Sequence, residues 1–131
     1  IEWNIMWDKV GKGDYDICTS GWGPYYNDPN ALLEIFDPIS GYFHSKRSGW
    51  TGPDADKFHQ LLDKASFTVD PQARAELLVQ AEQLLVGTGV IAPNYCGVAT
   101  YYVANYINGY YTNPHAGVDY TKLYTKGRPD R

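Results

Sequence analysis

Apolar residues fall three or four positions apart in four stretches up to Gly87, after which the chain turns to short runs of β-branched and aromatic residues. Trp3, Met6, Trp7 and Val10 form the first helical stripe, with Asn4 available as its cap, Gly11-Lys12-Gly13 as its stop, and Met6 and Trp7 expected in the core. Asp28-Pro29 has the form of a cap followed by a first-turn proline. It opens a second helix with the stripe Leu32, Leu33 and Phe36, ending near Asp37-Pro38. Ser40 to Trp50 carries glycines, serines and Lys46-Arg47, and reads as an irregular loop. A third helix starts at Pro53. It sets Asp54 and Asp56 in the first turn, where the helix dipole favours acids, and buries Phe58, Leu61, Leu62 and Ala65. Asp70-Pro71 repeats the cap-then-proline start, and Leu77, Leu78, Ala81, Leu84 and Leu85 share a face until Gly87 stops the fourth helix.

From Val90 to Tyr111 the composition predicts two short strands turning at Cys96-Gly97. Thr112 to Gly117 follows as a loop, Tyr120 to Tyr124 as a last strand, and Lys126 to Arg131 as a frayed end. Tyr15 to Ser20 reads as a further strand, running into Gly21-Trp22-Gly23-Pro24-Tyr25-Tyr26. The glycines permit a sharp turn and a close approach, and a loop at the carboxyl end of a strand is where open α/β sheets place their ligand crevices. Taken from the residues alone, Trp22 is better placed as a buried anchor between ordinary turn glycines, because most tryptophans are largely buried.

The segment Gly13-Asp14-Tyr15-Asp16-Ile17 followed by Gly21-Trp22-Gly23-Pro24-Tyr25-Tyr26-Asn27-Asp28-Pro29 resembles the signature of the second lobe in the family 5 extracytoplasmic solute-binding proteins of ABC importers. Gly49 to Lys57, the Asp70 to Leu85 helix with Ala81-Glu82-Gln83-Leu84-Leu85, and Val90 to Tyr95 extend the likeness over nearly all 131 residues. The resemblance implies an α/β fold, part of one lobe of a two-lobed periplasmic-binding-protein-like (type II) architecture with helices packed on a mixed sheet. It implies that residues 1–131 are a single fragment, the C-terminal part of a longer protein whose missing N-terminal lobe completes the cleft. The implied function is capture of extracellular peptides or a related solute by hinge closure, and delivery to the membrane permease subunits of an ABC importer. The implied location is extracytoplasmic, in the periplasm or on the outer face of the membrane as a lipoprotein. Trp22 falls on the family's cleft tryptophan, Gly23 and Pro24 follow on the same loop, Thr19 and Ser20 lead into it, and Trp3 falls on a tryptophan lining a side-chain pocket. Half of an enclosing cleft leaves most of a ligand in water, so the fragment alone is expected to bind weakly.

One position departs from the family pattern. The aspartate that accepts the ligand's α-ammonium group falls on Tyr25, and a neutral phenol makes a weaker hydrogen bond than a carboxylate. Asp28 is expected to be occupied as a helix cap. Thr19 stands where some oligopeptide-binding relatives carry an arginine near the ligand carboxylate. The transport role therefore follows more directly than peptide specificity, and a blocked peptide or an oligosaccharide stays open as solute.

Composition limits the alternatives. With 44 % hydrophobic and 20 % charged residues the chain is globular, and a net charge of −4 without a Lys/Arg run argues against nucleic acid as partner. Its apolar runs are too short to span a membrane, and no signal sequence or initiator methionine opens it. Cys18 and Cys96 could face each other or be two small buried thiols, the second being the commoner state. With His44, His59 and His115 far apart, neither a metal nor another cofactor is expected. Gly87-Thr88-Gly89-Val90-Ile91-Ala92 has the outline of a dinucleotide fingerprint, but the helix comes before it and the strand after, the reverse of what phosphate binding requires. Asp14 and Asp16 flank a strand start and could face a cleft as the acid/base pair of a hydrolase, although carboxylates two apart at a solvated strand end are more often polar edge groups. Trp22, Tyr25 and Tyr26, with some of Tyr101, Tyr102, Tyr110 and Tyr111, offer a stacking platform for a carbohydrate-binding module, against which four helices count.

Overall fold

A computed structural model describes residues 1–40, 48–113 and 117–129. Helix α1 spans Trp3–Lys12, α2 spans Asn30–Leu33 and continues as a 3-10 turn over Glu34–Phe36, α3 spans Pro53–Phe67, and α4 spans Pro71–Gly87. Among the described residues four two-residue strands follow: β1 (Ile107–Asn108), β2 (Thr112–Asn113), β3 (Gly117–Val118) and β4 (Tyr124–Thr125). β1 pairs antiparallel with β4, and β2 with β3.

The core is an αα-hairpin of α3 and α4 with α2 laid against α4. Phe58, Leu62 and Ala65 on α3 meet Leu77, Leu78, Ala81 and Leu85 on α4, with Leu33 from α2 completing the cluster. Trp50, Phe36, Leu61, Leu84, Val90 and Ile91 close its margin, and the Trp50 and Phe58 rings sit 5.2 Å apart. Both long helices start as the sequence predicts, with proline in the first turn, and Asp70 Oδ1 accepts the Ala73 N–H at 2.8 Å.

Helix α1 ends in a left-handed Gly13 (φ 72°), the Gly13 and Asp14 N–H groups returning to the Val10 and Lys9 carbonyls at 3.2 and 3.0 Å. Its N-cap is Glu2, not Asn4, and only Val10 is fully buried. Met6 and Trp7, expected in the core, are half-buried, because among the described residues the main apolar cluster gathers on α2, α3 and α4 and none of it comes from α1. Leu32 is likewise exposed: the shift to a 3-10 turn after Leu33 puts Ile35 inside in its place.

The strand expectations need the most correction. Tyr15 to Ser20 is irregular, and so is Ala92 to Ala104, including the Cys96-Gly97 turn. A strand is completed by a neighbour's backbone, and among the described residues neither segment has one. The helices therefore pack on one another, and the described sheets are small and antiparallel rather than one mixed sheet. Thr112 to Gly117, expected as a loop, contains β2 and β3, and the predicted last strand is a 3-10 turn over Tyr120–Lys122 followed by β4. Lys126, assigned to the frayed end, donates its N–H to the Tyr106 carbonyl at 2.9 Å. Most of the Ser40 to Trp50 loop, His44 and His115 lie outside the described residues. Cys18 and Cys96 are free thiols, Cys96 exposed, so the buried-pair expectation fails with the strands that would have enclosed it.

Candidate functional site on the Trp22 loop

The chain between α1 and α2 carries the residues singled out from sequence. Thr19, Ser20, Gly21 and Gly23 are exposed and Pro24 is half-buried. Trp22, Tyr25 and Tyr26 keep 41, 47 and 37 % of their surface open. The residue-only placement of Trp22 as a buried anchor is thereby overturned, for the loop runs over the surface instead of entering the helical core. The three rings form a chain. Trp22 meets Tyr25 edge-on with centroids 5.6 Å apart and planes at 76°, and Tyr25 meets Tyr26 at 5.7 Å.

The far end of this ring chain is fixed by polar contacts. Asn30 Nδ2 donates to Tyr26 Oη at 3.5 Å and to Glu34 Oε2 at 3.2 Å. Burial, then the hydrogen-bonded Glu34 carboxylate, push the Tyr26 phenol up to about 12. Asp28 Oδ1 accepts the Asn30 N–H at 2.8 Å, one residue ahead of the N-cap position, which falls on Pro29 and not on Asp28 as expected. Both Asp28 oxygens also take the Arg74 guanidinium, at 2.8 and 3.0 Å. The Arg74 hydrogen bonds hold the Asp28 carboxyl below the usual carboxylate range, overcoming the opposing effect of burial. This fork reaches across 46 positions, and nothing local in the sequence pointed to it; an arginine on a half-polar helix face is the only trace it leaves there.

Trp3 lies on another element. It is 65 % exposed on α1 and packs edge-on against Trp7 at 5.3 Å. A second tyrosine pair, Tyr101 and Tyr110, stands with centroids 6.1 Å apart, while Tyr102 and Tyr111 are exposed. Asp14, one of the two hydrolase candidates, is bonded to Lys9 Nζ at 2.7 Å, and that ammonium lowers its pKa. A general acid requires the opposite shift.

A polar hollow of about 170 Å³ opens beside α2, lined by Asn30, Glu34, Asp37, His59 and Asp63 among others. In it Asp37, the buried carboxylate, accepts from His59 Nδ1 at 2.9 Å and from the Ile39 N–H at 3.1 Å. Among the described residues, no group of three or more His, Cys, Asp or Glu side chains has the arrangement to hold a metal ion. None of the helices described is long and apolar enough to cross a membrane.

No family profile matches the chain. Individual relatives do. The oligopeptide-binding protein OppA of Bacillus subtilis is 36 % identical over 94 residues, 72 % of this chain. The dipeptide-binding protein DppE of the same organism is 30 % identical over 95 residues, and the oligopeptide-binding protein AliB of Streptococcus pneumoniae 32 % over 93. This chain belongs to the oligopeptide- and dipeptide-binding protein family. Its matched part spans only 16 % of OppA, 16 % of DppE and 14 % of AliB. The relatives are named for binding, not for catalysis. The Trp22 loop carries open aromatic rings with a polar anchor behind them, while its glycines Gly21 and Gly23 have no close neighbour and no left-handed backbone, so the close approach expected of them is not seen.

Proposed function

We propose that this chain is part of a solute-binding protein of an ABC importer, which captures peptides or a related solute outside the cytoplasm and passes them to a membrane permease. The Trp22 loop, comprising Thr19, Ser20, Trp22, Gly23, Pro24 and Tyr25, is its contribution to the ligand surface, with Trp3 on α1 as a second contact. The remainder of the protein supplies the other lobe of a type II α/β fold and strands that pair with the irregular segments 15–20 and 92–104. Those segments have strand composition and carry exposed apolar side chains, among them Ile17, Tyr95, Val98 and Tyr102, which supports this reading.

The observation that carries the proposal is the open chain of Trp22, Tyr25 and Tyr26 rings in a chain 36 % identical to an oligopeptide-binding protein. Tyr25 presents a phenol where the family resemblance calls for an anion. It does not demand a free ammonium on the solute, and the site accepts N-terminally blocked peptides.

The test is calorimetry on the longest natural chain that contains these residues, titrated with pooled tri- and tetrapeptides, free and N-acetylated. Binding of both pools, weakened tenfold or more by Trp22→Ala, is the expected result. Failure of either pool, or indifference to Trp22→Ala, removes the corresponding part of the proposal. Oligosaccharides serve as the arm for the carbohydrate alternative.

A further inference from the structure

We infer that Arg74, on the outer part of α4, is a positioning residue for the Trp22 loop, acting through its fork with Asp28. The inference rests on the solute-binding reading for its functional meaning, but the geometry stands apart from it. From Asp14 to Asp28 the chain forms no helix and no strand, so regular backbone bonding does not fix its course. Its last residues are fastened instead at one carboxylate. The Asp28 N–H returns to the Tyr26 carbonyl at 3.0 Å, Asp28 Oδ1 takes the Asn30 N–H, and both oxygens receive Arg74. Arg74 is carried by the helix that supplies Leu77, Leu78, Ala81 and Leu85 to the core. A planar fork with two bonds fixes direction as well as distance, which a lysine point charge does not. Tyr26 is two residues from this fork and begins the ring chain that leads through Tyr25 to Trp22. This ion pair thus ties the near end of the ring chain to the rigid core, with Asn30 and Glu34 as a further tie at Tyr26 Oη.

Incorporation of 5-fluorotryptophan into the longest natural chain gives fluorine resonances that Trp22→Phe and Trp50→Phe assign. Trp50 packs on Phe58 and reports on the core; Trp22 reports on the loop. In Arg74→Gln and Asp28→Asn the Trp22 resonance is expected to lose most of its displacement from free 5-fluorotryptophan while the Trp50 resonance keeps its position. Asn retains the helix-opening bond to the Asn30 N–H, so only the ion pair is removed. Arg74→Lys restores part of the displacement. An unmoved Trp22 resonance in both variants overturns the inference, and so does joint collapse of both resonances, which would make the pair a support of the whole fold and not of the loop. Failure of the peptide pools to bind the wild-type chain would sink the solute reading while leaving the fluorine result to decide the anchor.

Discussion

Trp22 and Tyr25 meet edge to face, their ring centroids 5.6 Å apart and their planes at 76°. Such pairs contribute about 0.5–1.5 kcal/mol beyond the area they bury, enough to bias a loop that lacks secondary structure but too little to hold it alone. The contacts at Tyr26 and Asp28 add to it, and their chemistry makes the loop sensitive to pH at both ends of the scale.

Tyr26 is the alkaline end. Burial and the nearby Glu34 carboxylate raise its phenol from 10.0 to about 12. The folded chain therefore favours the protonated ring, so this contribution is complete below about pH 10 and is lost as pH rises towards 12. With its ring 37 % exposed, solvent screens the effect and the stability change is modest. A pH titration of ring-labelled tyrosine by carbon NMR should find Tyr26 ionising well above the range of free tyrosine. A Tyr26 midpoint near 10 would contradict the arrangement.

At the acidic end stands Asp28. Its folded value is depressed by Arg74, so the stabilisation is present above the unfolded value of 3.8 and disappears as pH falls through the lower folded value. Denaturation of the wild-type chain and of Asp28→Asn should differ by about 1.5–3 kcal/mol at neutral pH, the range for a hydrogen bond to a charged group. That difference should shrink steadily below about pH 4. A gap that persists unchanged into strong acid would mean the ion pair is not its source.

Gly109, which follows β1, has φ +73°, and a Cβ there would run into the Lys122 carbonyl oxygen. Gly109→Ala combines a left-handed backbone with a backbone clash, and should cost about 2 kcal/mol or more in the β1–β4 pair. Amide exchange reads this directly, because the Lys126 N–H is held by the Tyr106 carbonyl. Loss of Lys126 protection with the core amides unchanged is expected; retained protection would show that the turn can relax.

Phe58 is fully buried between α3 and α4 and faces Trp50. Phe58→Ala should cost about 3–5 kcal/mol, the range for deleting a core aromatic ring. Urea denaturation followed by Trp50 fluorescence measures it. A cost under about 1 kcal/mol would mean the helical hairpin is not the centre of stability.

The Asp28 and Arg74 pair also marks where sequence reasoning stops. The starts at Pro53 and Pro71, the Asp70 cap, the Gly13 stop and the buried stripes of α3 and α4 depend on residues within one or two turns of each other. A reader of the sequence can therefore assign them from spacing alone. The Trp22 loop could be picked out by its glycines, rings and Asp28-Pro29, and the family resemblance put Trp22 at an open cleft, but its fastening could not be read. That fastening comes from a helix 46 residues downstream. Strand pairing is non-local in the same way: Tyr15 to Ser20 and Ala92 to Ala104 have the composition of strands, yet composition provides only one side of a ladder. What the sequence determined by itself were the long helices, the Asp70 cap, the Gly13 stop and the family. Tertiary structure decided that Asp28 is shared between the Asn30 N–H and Arg74, and that the strands of the described residues are four short ones, because each of these requires a second group that only the folded chain brings within reach.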